Sequence, residues 1–563
     1  MILEILKTHS TRMYKTLTEL SSPSIVQIKE TMKSILQSNL NKKNIDVPQV
    51  LQEPASTNMA VEYTQTKVAE DIAVLTPNIS SETVYKFVSG GGGDFSSKIG
   101  VLFSGGQAPG GHNVISGLFD ALGQNTKQGV LIGFLNGPSG LVNNEYTLIT
   151  REHIDAYKNT GGFDLIGSGR TKIETKEQFQ QSLETAKEHS LDTLVIIGGD
   201  DSNTNAALLA NYFKQHKQPT TVIGVPKTID GDLKNTFVET SFGFDTATRV
   251  YSNLISNIAR DALSAKKYWH FIKLMGRSAS HVTLECALQT QPNVTIIAEE
   301  VAERSQSLAE LVESIADTVI KRHKTGLNFG IALLPEGLLE FIPEMKTLIS
   351  EINELLASNI SLEELPKQLT PPSHNLFTII PEAIRAQLLL DRDPHGNVNV
   401  SLIETDKLIA HMVDEYIKNN HTTVPFSYHC HFLGYEGRAA FPSAFDASYC
   451  YCLGKTAYLA GTQKLSGYMV TIMDTTKPIQ DWVPLAIPIA SLMHLEKRHG
   501  HMKPVIEKAL VELDQPAFKH FEMHRNSWKS HNNYVFTGPI QYFGPNDIVW
   551  RCTHTLHLEK STK

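Results

Sequence analysis

From Lys98 onward the chain alternates short apolar runs with longer amphipathic stretches, and glycine-rich turns separate the two. Ile99-Gly100-Val101-Leu102-Phe103 leads into Ser104-Gly105-Gly106-Gln107-Ala108-Pro109-Gly110-Gly111, and then into a helix-compatible stretch from Asn113 to Leu122. The same order recurs from Leu194 to Leu209, from Phe271 to Leu288 and from Ile331 to Leu339. Apolar runs without alternation mark strands buried on both faces, as in parallel sheets. Strand, turn and helix in series predict βαβ units, hence an α/β fold with mainly parallel sheets and flanking helices. No repeat of fixed period runs through the chain.

Outside this rhythm the texture changes. Residues 1–97 are rich in Ser, Thr and Gln and end in Ser89-Gly90-Gly91-Gly92-Gly93, a linker or hinge by composition; they read as an N-terminal extension. Between Gly337 and Gly434, runs such as Met345–Leu356 and Ile380–Leu390 predict a helical insertion at about 340–425, suited to packing or oligomer contacts. Tyr534–Gly544 predicts a turn and strand that pack back onto the core. The expected division is an extension at 1–97, one α/β domain at 98–240, and a second at 241–440 that includes the insertion. A C-terminal segment, 441–563, returns to the core.

With 563 residues the chain is too long for one hydrophobic core. Its 41% hydrophobic and 20% charged content is that of a soluble globular protein. A net charge of −8 without a basic stripe argues against nucleic-acid binding. Five cysteines form no disulfide framework and fit a reducing compartment. The N-terminus lacks a sustained apolar core for a secretory signal. The apolar stretch Trp482–Leu495 is too short, and too broken by Pro484 and Pro488, to span a bilayer. A cytoplasmic location is expected.

Two segments carry the chemistry. Leu194-Val195-Ile196-Ile197 delivers Gly198-Gly199-Asp200-Asp201-Ser202-Asn203, and Val222-Ile223-Gly224-Val225 delivers Pro226-Lys227-Thr228-Ile229-Asp230-Gly231-Asp232. Four carboxylates and a lysine on neighbouring loops at the carboxyl edge of a sheet point to a cation and a phosphate. Asp200 is the expected magnesium anchor, although Asp200 or Asp201 equally suits a helix cap. Asp230, central in an extended Thr-Ile-Asp-Gly-Asp loop, is the expected general base; an Asx-turn would explain Asp232 better than Asp230. The Ser104–Gly111 loop offers backbone N–H groups to a phosphate, although an ordinary tight turn would look alike. Glycine-flanked Arg170, Arg277 and Arg438 suit phosphate-bearing ligands. His429-Cys430-His431 and Cys450-x-Cys452 match no zinc spacing and read better as buried strand.

These segments together resemble the phosphofructokinase family, in its long pyrophosphate-dependent branch. The motifs are SGGQAPGGHN, GSGRT, GGDDSNT, PKTIDGDLKN, KYWHFIKLMGRSASH, LLPEG and LGYEGRAAFPSAFD, in the family's order from about Lys98 to Gly544. The resemblance implies two domains of that family's type and reversible transfer of a phosphoryl group from diphosphate to D-fructose 6-phosphate, with magnesium, in glycolysis or gluconeogenesis. It implies Asp230 as proton acceptor, Asp200 and Asp232 as metal site, and Gly105, Gly106 and Lys227 around diphosphate, with Arg170, Asp201 and Lys227 among the catalytic groups. Thr228, Ile229, Asp230, Met275, Gly276, Arg277, Glu336, Tyr435, Glu436, Gly437 and Arg438 match the sugar-phosphate pocket. Lys267 and Tyr268 match positions contributed across a subunit boundary, which implies a homodimer. The ATP-dependent branch usually has glycine at Asp201, a small residue at Lys227 and histidine at Tyr435. An ATP-dependent enzyme, and a regulatory subunit that has lost its acids, are the alternatives; Asp200, Asp230 and Asp232 are all present.

Overall fold

The computed structural model describes residues 34–53, 58–90, 98–125, 129–358, 360–392, 398–498 and 501–561. Most of the expected glycine linker, from Gly91 onward, lies outside the described residues. Among the described residues seventeen strands form two large sheets and one hairpin. In chain order they begin β1 (Asn58–Gln65), β2 (Thr83–Ser89), β3 (Lys98–Ser104), β4 (Val130–Phe134), β5 (Tyr146–Ile149), β6 (Ser168–Gly169), β7 (Thr193–Gly198), β8 (Thr221–Thr228) and β9 (Phe242–Gly243). They continue β10 (Trp269–Leu274), β11 (Val294–Thr295), β12 (Gly330–Pro335), β13 (Tyr428–Leu433), β14 (Tyr468–Met473), β15 (Val483–Pro488), β16 (Met493–Arg498) and β17 (His501–Ile506).

The first sheet runs β1-β2-β15-β14-β8-β7-β3-β4-β5. Its centre, from β14 to β4, is parallel, and both edges are antiparallel. β7 is buried along its whole length and β8 along all but its last residue, because Leu, Val and Ile meet helices on either face. The extension supplies β1 and β2, which join the sheet through β15. The second sheet, β11-β12-β10-β13, is wholly parallel. The helix Phe244–Ala265 runs from the end of β9 toward β10 and packs on His281–Thr290. Helices of the insertion, including Pro343–Ala357, Pro371–Ile379, Glu382–Leu390 and Thr405–Asn420, share a separate apolar core with β12. Among the described residues no helix is long and apolar enough to cross a membrane. All five cysteines are free.

Three expectations fail in detail. Cys450 and Cys452 lie on the helix Ala444–Thr462, not on a strand. That helix is buried on nearly all sides between Gly111–Asn125 and the first sheet, so its sequence shows no amphipathic period. Its Gly454 faces the Val114 carbonyl closely enough that a Cβ would collide with it. His429-Cys430-His431 is strand, but among the described residues β13 pairs only with β10 and stays partly open to solvent. Tyr534–Gly544 holds no strand, since Gly538 and Gly544 adopt positive φ and Pro539 lacks a donor. It docks instead through the Tyr534 hydroxyl on Asn293, the Val535 N–H on the Thr290 carbonyl, and Arg260 over the Phe536 ring.

Candidate active site

The carboxyl ends of the two sheets face one cleft. On the first sheet, β3, β6, β7 and β8 end in the Ser104–Gly106, Gly169–Lys172, Gly198–Asp201 and Thr228–Asp232 loops. On the second, β10, β12 and β13 end in Met275–Arg277, Glu336 and Gly434–Arg438. The cleft closes tightly enough that a Cβ built on Gly106 would touch the Arg438 guanidinium.

On the first side, Gly105 takes φ +87 and its N–H donates to the Gly169 carbonyl at 2.9 Å. The Ser168 hydroxyl donates to the Gly105 carbonyl at 2.6 Å. Gly105 therefore offers an anion clearance rather than a backbone donor. Lys227 fills the space beside it, its Nζ 3.5 Å from where a Gly105 Cβ would stand. Burial pulls the Lys227 ammonium down to about 8, with Arg438 adding to the effect and Asp230, Asp200 and Asp232 opposing it.

Asp200 and Asp201 are the first two residues of the helix Asp200–Gln215, whose N-cap is Gly199 without a side-chain cap bond. Neither acid is the cap, so the capping reading fails for both. They instead stand where the helix dipole favours negative charge. Asp201 is exposed and pairs with Lys172 at 3.3 Å. Arg170, two residues earlier, is exposed at the rim.

The Thr228–Asp232 loop is bent, not extended. Gly231 takes φ +76, the Asp230 N–H donates to the Thr228 hydroxyl at 3.1 Å, and that hydroxyl donates to Asp232 Oδ1 at 3.1 Å. A Thr-centred turn, rather than an Asx-turn, thus orients both acids. Ile229 points into the core. Burial raises the Asp230 carboxyl to about 7, helped by Asp232 and Glu336 and resisted by Lys227 and Lys508. A carboxyl poised there can take and return a hydroxyl proton near neutral pH.

Across the cleft, buried Glu336 accepts from the Gly276 N–H at 3.0 Å. Gly337 lies so close to the Arg277 carbonyl that any side chain there would displace it. This contact fixes the backbone from which the exposed Arg277 projects, beside half-buried Met275. Arg438 stacks on the exposed Tyr435 ring with its centroid 5.6 Å away. Glu436 folds back onto the Gly434 N–H at 2.8 Å, and the Tyr251 ring abuts Gly437 while its hydroxyl holds the Gly434 carbonyl at 2.5 Å.

Lys267 and Tyr268 are not brought to this cleft within one chain. They precede β10 whereas Met275–Arg277 follow it, and six strand residues separate them by about 20 Å. Both are exposed, and Tyr268 holds φ +66, which costs a non-glycine residue energy.

Two cations went unread in the sequence. Lys172 sits two residues past Arg170 in the same loop, and its alternation with Arg170 was the available signal. Lys508 belongs to no motif; the chain beyond the β16–β17 hairpin carries it into the cleft, 3.6 Å from Asp200 Oδ2 and 3.7 Å from Asp232 Oδ2. Burial works to lower its ammonium, but Asp200 and Asp232 outweigh that and leave it raised. The convergence of both carboxylates on one positive charge fits a hard divalent cation that completes its shell with phosphate oxygens and water. No group of three protein ligands exists among the described residues.

Residues 98–460 match the family described as phosphofructokinase. A Treponema pallidum protein named pyrophosphate–fructose 6-phosphate 1-phosphotransferase is 52% identical over 479 residues, covering 82% of this chain and 83% of its own. A Porphyromonas gingivalis protein of the same name is 48% identical over 532 residues, covering 91% of this chain and 97% of its own. The crystal structure of a pyrophosphate-dependent phosphofructokinase from Nitrosospira multiformis superposes with a TM-score of 0.53 at 15% identity, covering 79% of this chain and 96% of that one. At that identity it speaks to the fold alone.

Proposed function

The chain belongs to the phosphofructokinase family, and from that premise we propose that it transfers a phosphoryl group reversibly from diphosphate to the 1-hydroxyl of D-fructose 6-phosphate. The products are phosphate and D-fructose 1,6-bisphosphate. One observation carries the reading: Asp230 lies within electrostatic reach of Lys227 on the first side and Glu336 on the other, so one carboxyl faces both donor and acceptor loops. In the forward direction Asp230 accepts the hydroxyl proton as the oxygen attacks phosphorus. Arg277 and Arg438 hold the 6-phosphate, and Glu336 accepts from sugar hydroxyls. Lys227 neutralises the departing phosphate, and the Gly105–Gly106 loop leaves room for the donor. Asp200 and Asp232 would hold magnesium, which supplies charge neutralisation between the phosphates when bound. A cytoplasmic role in glycolysis or gluconeogenesis suits five free cysteines and this substrate pair.

A donor panel tests the reading. Diphosphate with magnesium should support turnover, ATP and GTP should not, and EDTA should abolish the rate. Fructose 1,6-bisphosphate with phosphate should regenerate diphosphate. Turnover with ATP but not diphosphate would overturn the assignment.

The exposed, strained Tyr268 and its neighbour Lys267 support a homodimer in which each subunit completes the other's sugar-phosphate pocket. Subunits carrying Lys267→Ala and Tyr268→Ala, mixed with subunits carrying Arg277→Ala, should then regain part of the activity that each lacks alone. No recovery despite demonstrated subunit exchange would count against a shared site.

A further inference from the structure

The chain leaves the β16–β17 hairpin and crosses the cleft before entering the helix Pro516–Ser530. Its backbone is pinned on the way. The Ala509 N–H donates to the Asp232 carbonyl at 2.8 Å, His281 Nε2 donates to the Ala509 carbonyl at 3.0 Å, and the Val511 N–H donates to Glu299 Oε1 at 3.0 Å. Lys508 is thereby held between the two sides of the site. Its ammonium donates to Ser278 Oγ at 2.8 Å, beside Arg277, while it faces Asp200 and Asp232 at 3.6 and 3.7 Å.

That place matters for what must pass through it. The phosphoryl group travels from the Asp200 side toward the sugar held by Arg277, and Lys508 spans those two points. A divalent ion on Asp200 and Asp232 would meet the ammonium already there, and like charges so close repel. The flexible lysine stem lets the ammonium leave the carboxylates while Ser278 keeps it near the sugar side. The oxygens of the moving phosphoryl group are then the nearest negative charge.

We propose that Lys508 is a further catalytic residue, whose ammonium, held beside the Asp200–Asp232 pair, contacts the transferring phosphoryl group when magnesium and diphosphate bind. The inference rests on the functional reading above. In the step itself the sugar O–H proton goes to Asp230, the new O–P bond forms, and the bridging P–O bond of diphosphate breaks to release phosphate. Lys508 keeps its protons throughout and neutralises phosphoryl oxygens.

The test compares wild type with Lys508→Met, Lys508→Gln and Lys508→Arg in two measurements. The first is steady-state kinetics with diphosphate. Lys508→Met should lose about 10²- to 10³-fold in kcat, with Lys508→Arg restoring about a tenth of wild-type rate or more. The second is calorimetric titration with magnesium chloride alone. Removing a competing cation should tighten magnesium binding by about tenfold in Lys508→Met. A merely structural lysine would not produce that gain. If Lys508→Met fails to melt cooperatively, Lys508→Gln is read in its place by both measurements. A kcat within about threefold of wild type, or magnesium affinity unchanged, overturns the proposal. A wild type inactive with diphosphate would instead overturn the functional reading, so the two failures are distinguishable.

Discussion

Asp230→Asn is expected to lower kcat for fructose 6-phosphate phosphorylation by about 10²- to 10⁴-fold while leaving the sugar-phosphate KM nearly unchanged. The amide keeps the shape and the Thr228-centred turn, which uses only the residue's backbone N–H. What it loses is the ability to take the proton. On the proposed reading Arg277 and Arg438 still hold the 6-phosphate, so binding should survive. The pH profile supplies an independent check. The forward reaction needs Asp230 ionised, so kcat/KM should rise through about pH 7, and it needs the Lys227 ammonium, so the rate should fall again above about pH 8. The reverse reaction needs the same carboxyl protonated and should lose rate as pH rises through about 7. Near-normal turnover in Asp230→Asn would transfer the role to Asp232.

The same variant should be the more stable protein. Asp230 titrates near 7 when folded, against an ordinary value of 3.8, so its ionised form disfavours the fold. The penalty is absent below the unfolded value and complete above the folded one. Asp230→Asn should therefore melt higher than wild type at pH 8, by about 1–3 °C, and show no advantage near pH 4. Such an outcome would show activity held at a cost in stability, as expected where a charge is desolvated for chemistry.

How much of this was legible in the sequence depends on how local the cause is. β3, β7, β8 and β12 were readable because runs rich in Val, Ile and Leu have one inexpensive fate, burial on both faces. The loops that follow them were readable because glycine and aspartate at strand ends mark sites at a sheet's carboxyl edge. The helix Ala444–Thr462 was not readable, because a helix apolar on every side has no period to detect. Nor was the bend at Gly231, since polar residues at alternate positions suit a strand as well as a Thr-centred turn. Lys508 is the sharpest case: its partners Asp200 and Asp232 lie more than 270 residues earlier, and only the path of the chain brings them together. The union of β2 with β15 is of the same kind.

Replacing Asp201 and Lys227 by glycine together should shift the preference for the phosphoryl donor toward ATP. In a nucleotide the phosphate beside the transferred one continues into an ester, so the donor pocket must remain open past it. Asp201, on the first turn of the helix Asp200–Gln215, puts a carboxylate in that path. Like charges a few ångströms apart repel by at least about 1 kcal/mol, more where water is excluded. Lys172, now 3.3 Å from Asp201, adds a consequence. Asp201→Gly removes the repulsion and also frees the Lys172 ammonium to meet a nucleotide's next phosphate. Lys227 works in the opposite sense, as a buried, compact charge beside Gly105 that suits the terminal oxygens of free diphosphate. On this reading selectivity combines an obstacle to one donor with an attraction for the other. The double variant should raise the ratio of kcat/KM for ATP over diphosphate by about 10²-fold or more, and Asp201→Gly alone by about tenfold. Lys172→Ala in the Asp201→Gly background should take back part of the gain, because the freed cation is then missing. The measurement is kcat/KM for both donors in wild type, each single variant and the combinations, with melting curves to show that the fold is intact. A donor ratio unmoved in a folded double variant would place selectivity elsewhere in the cleft.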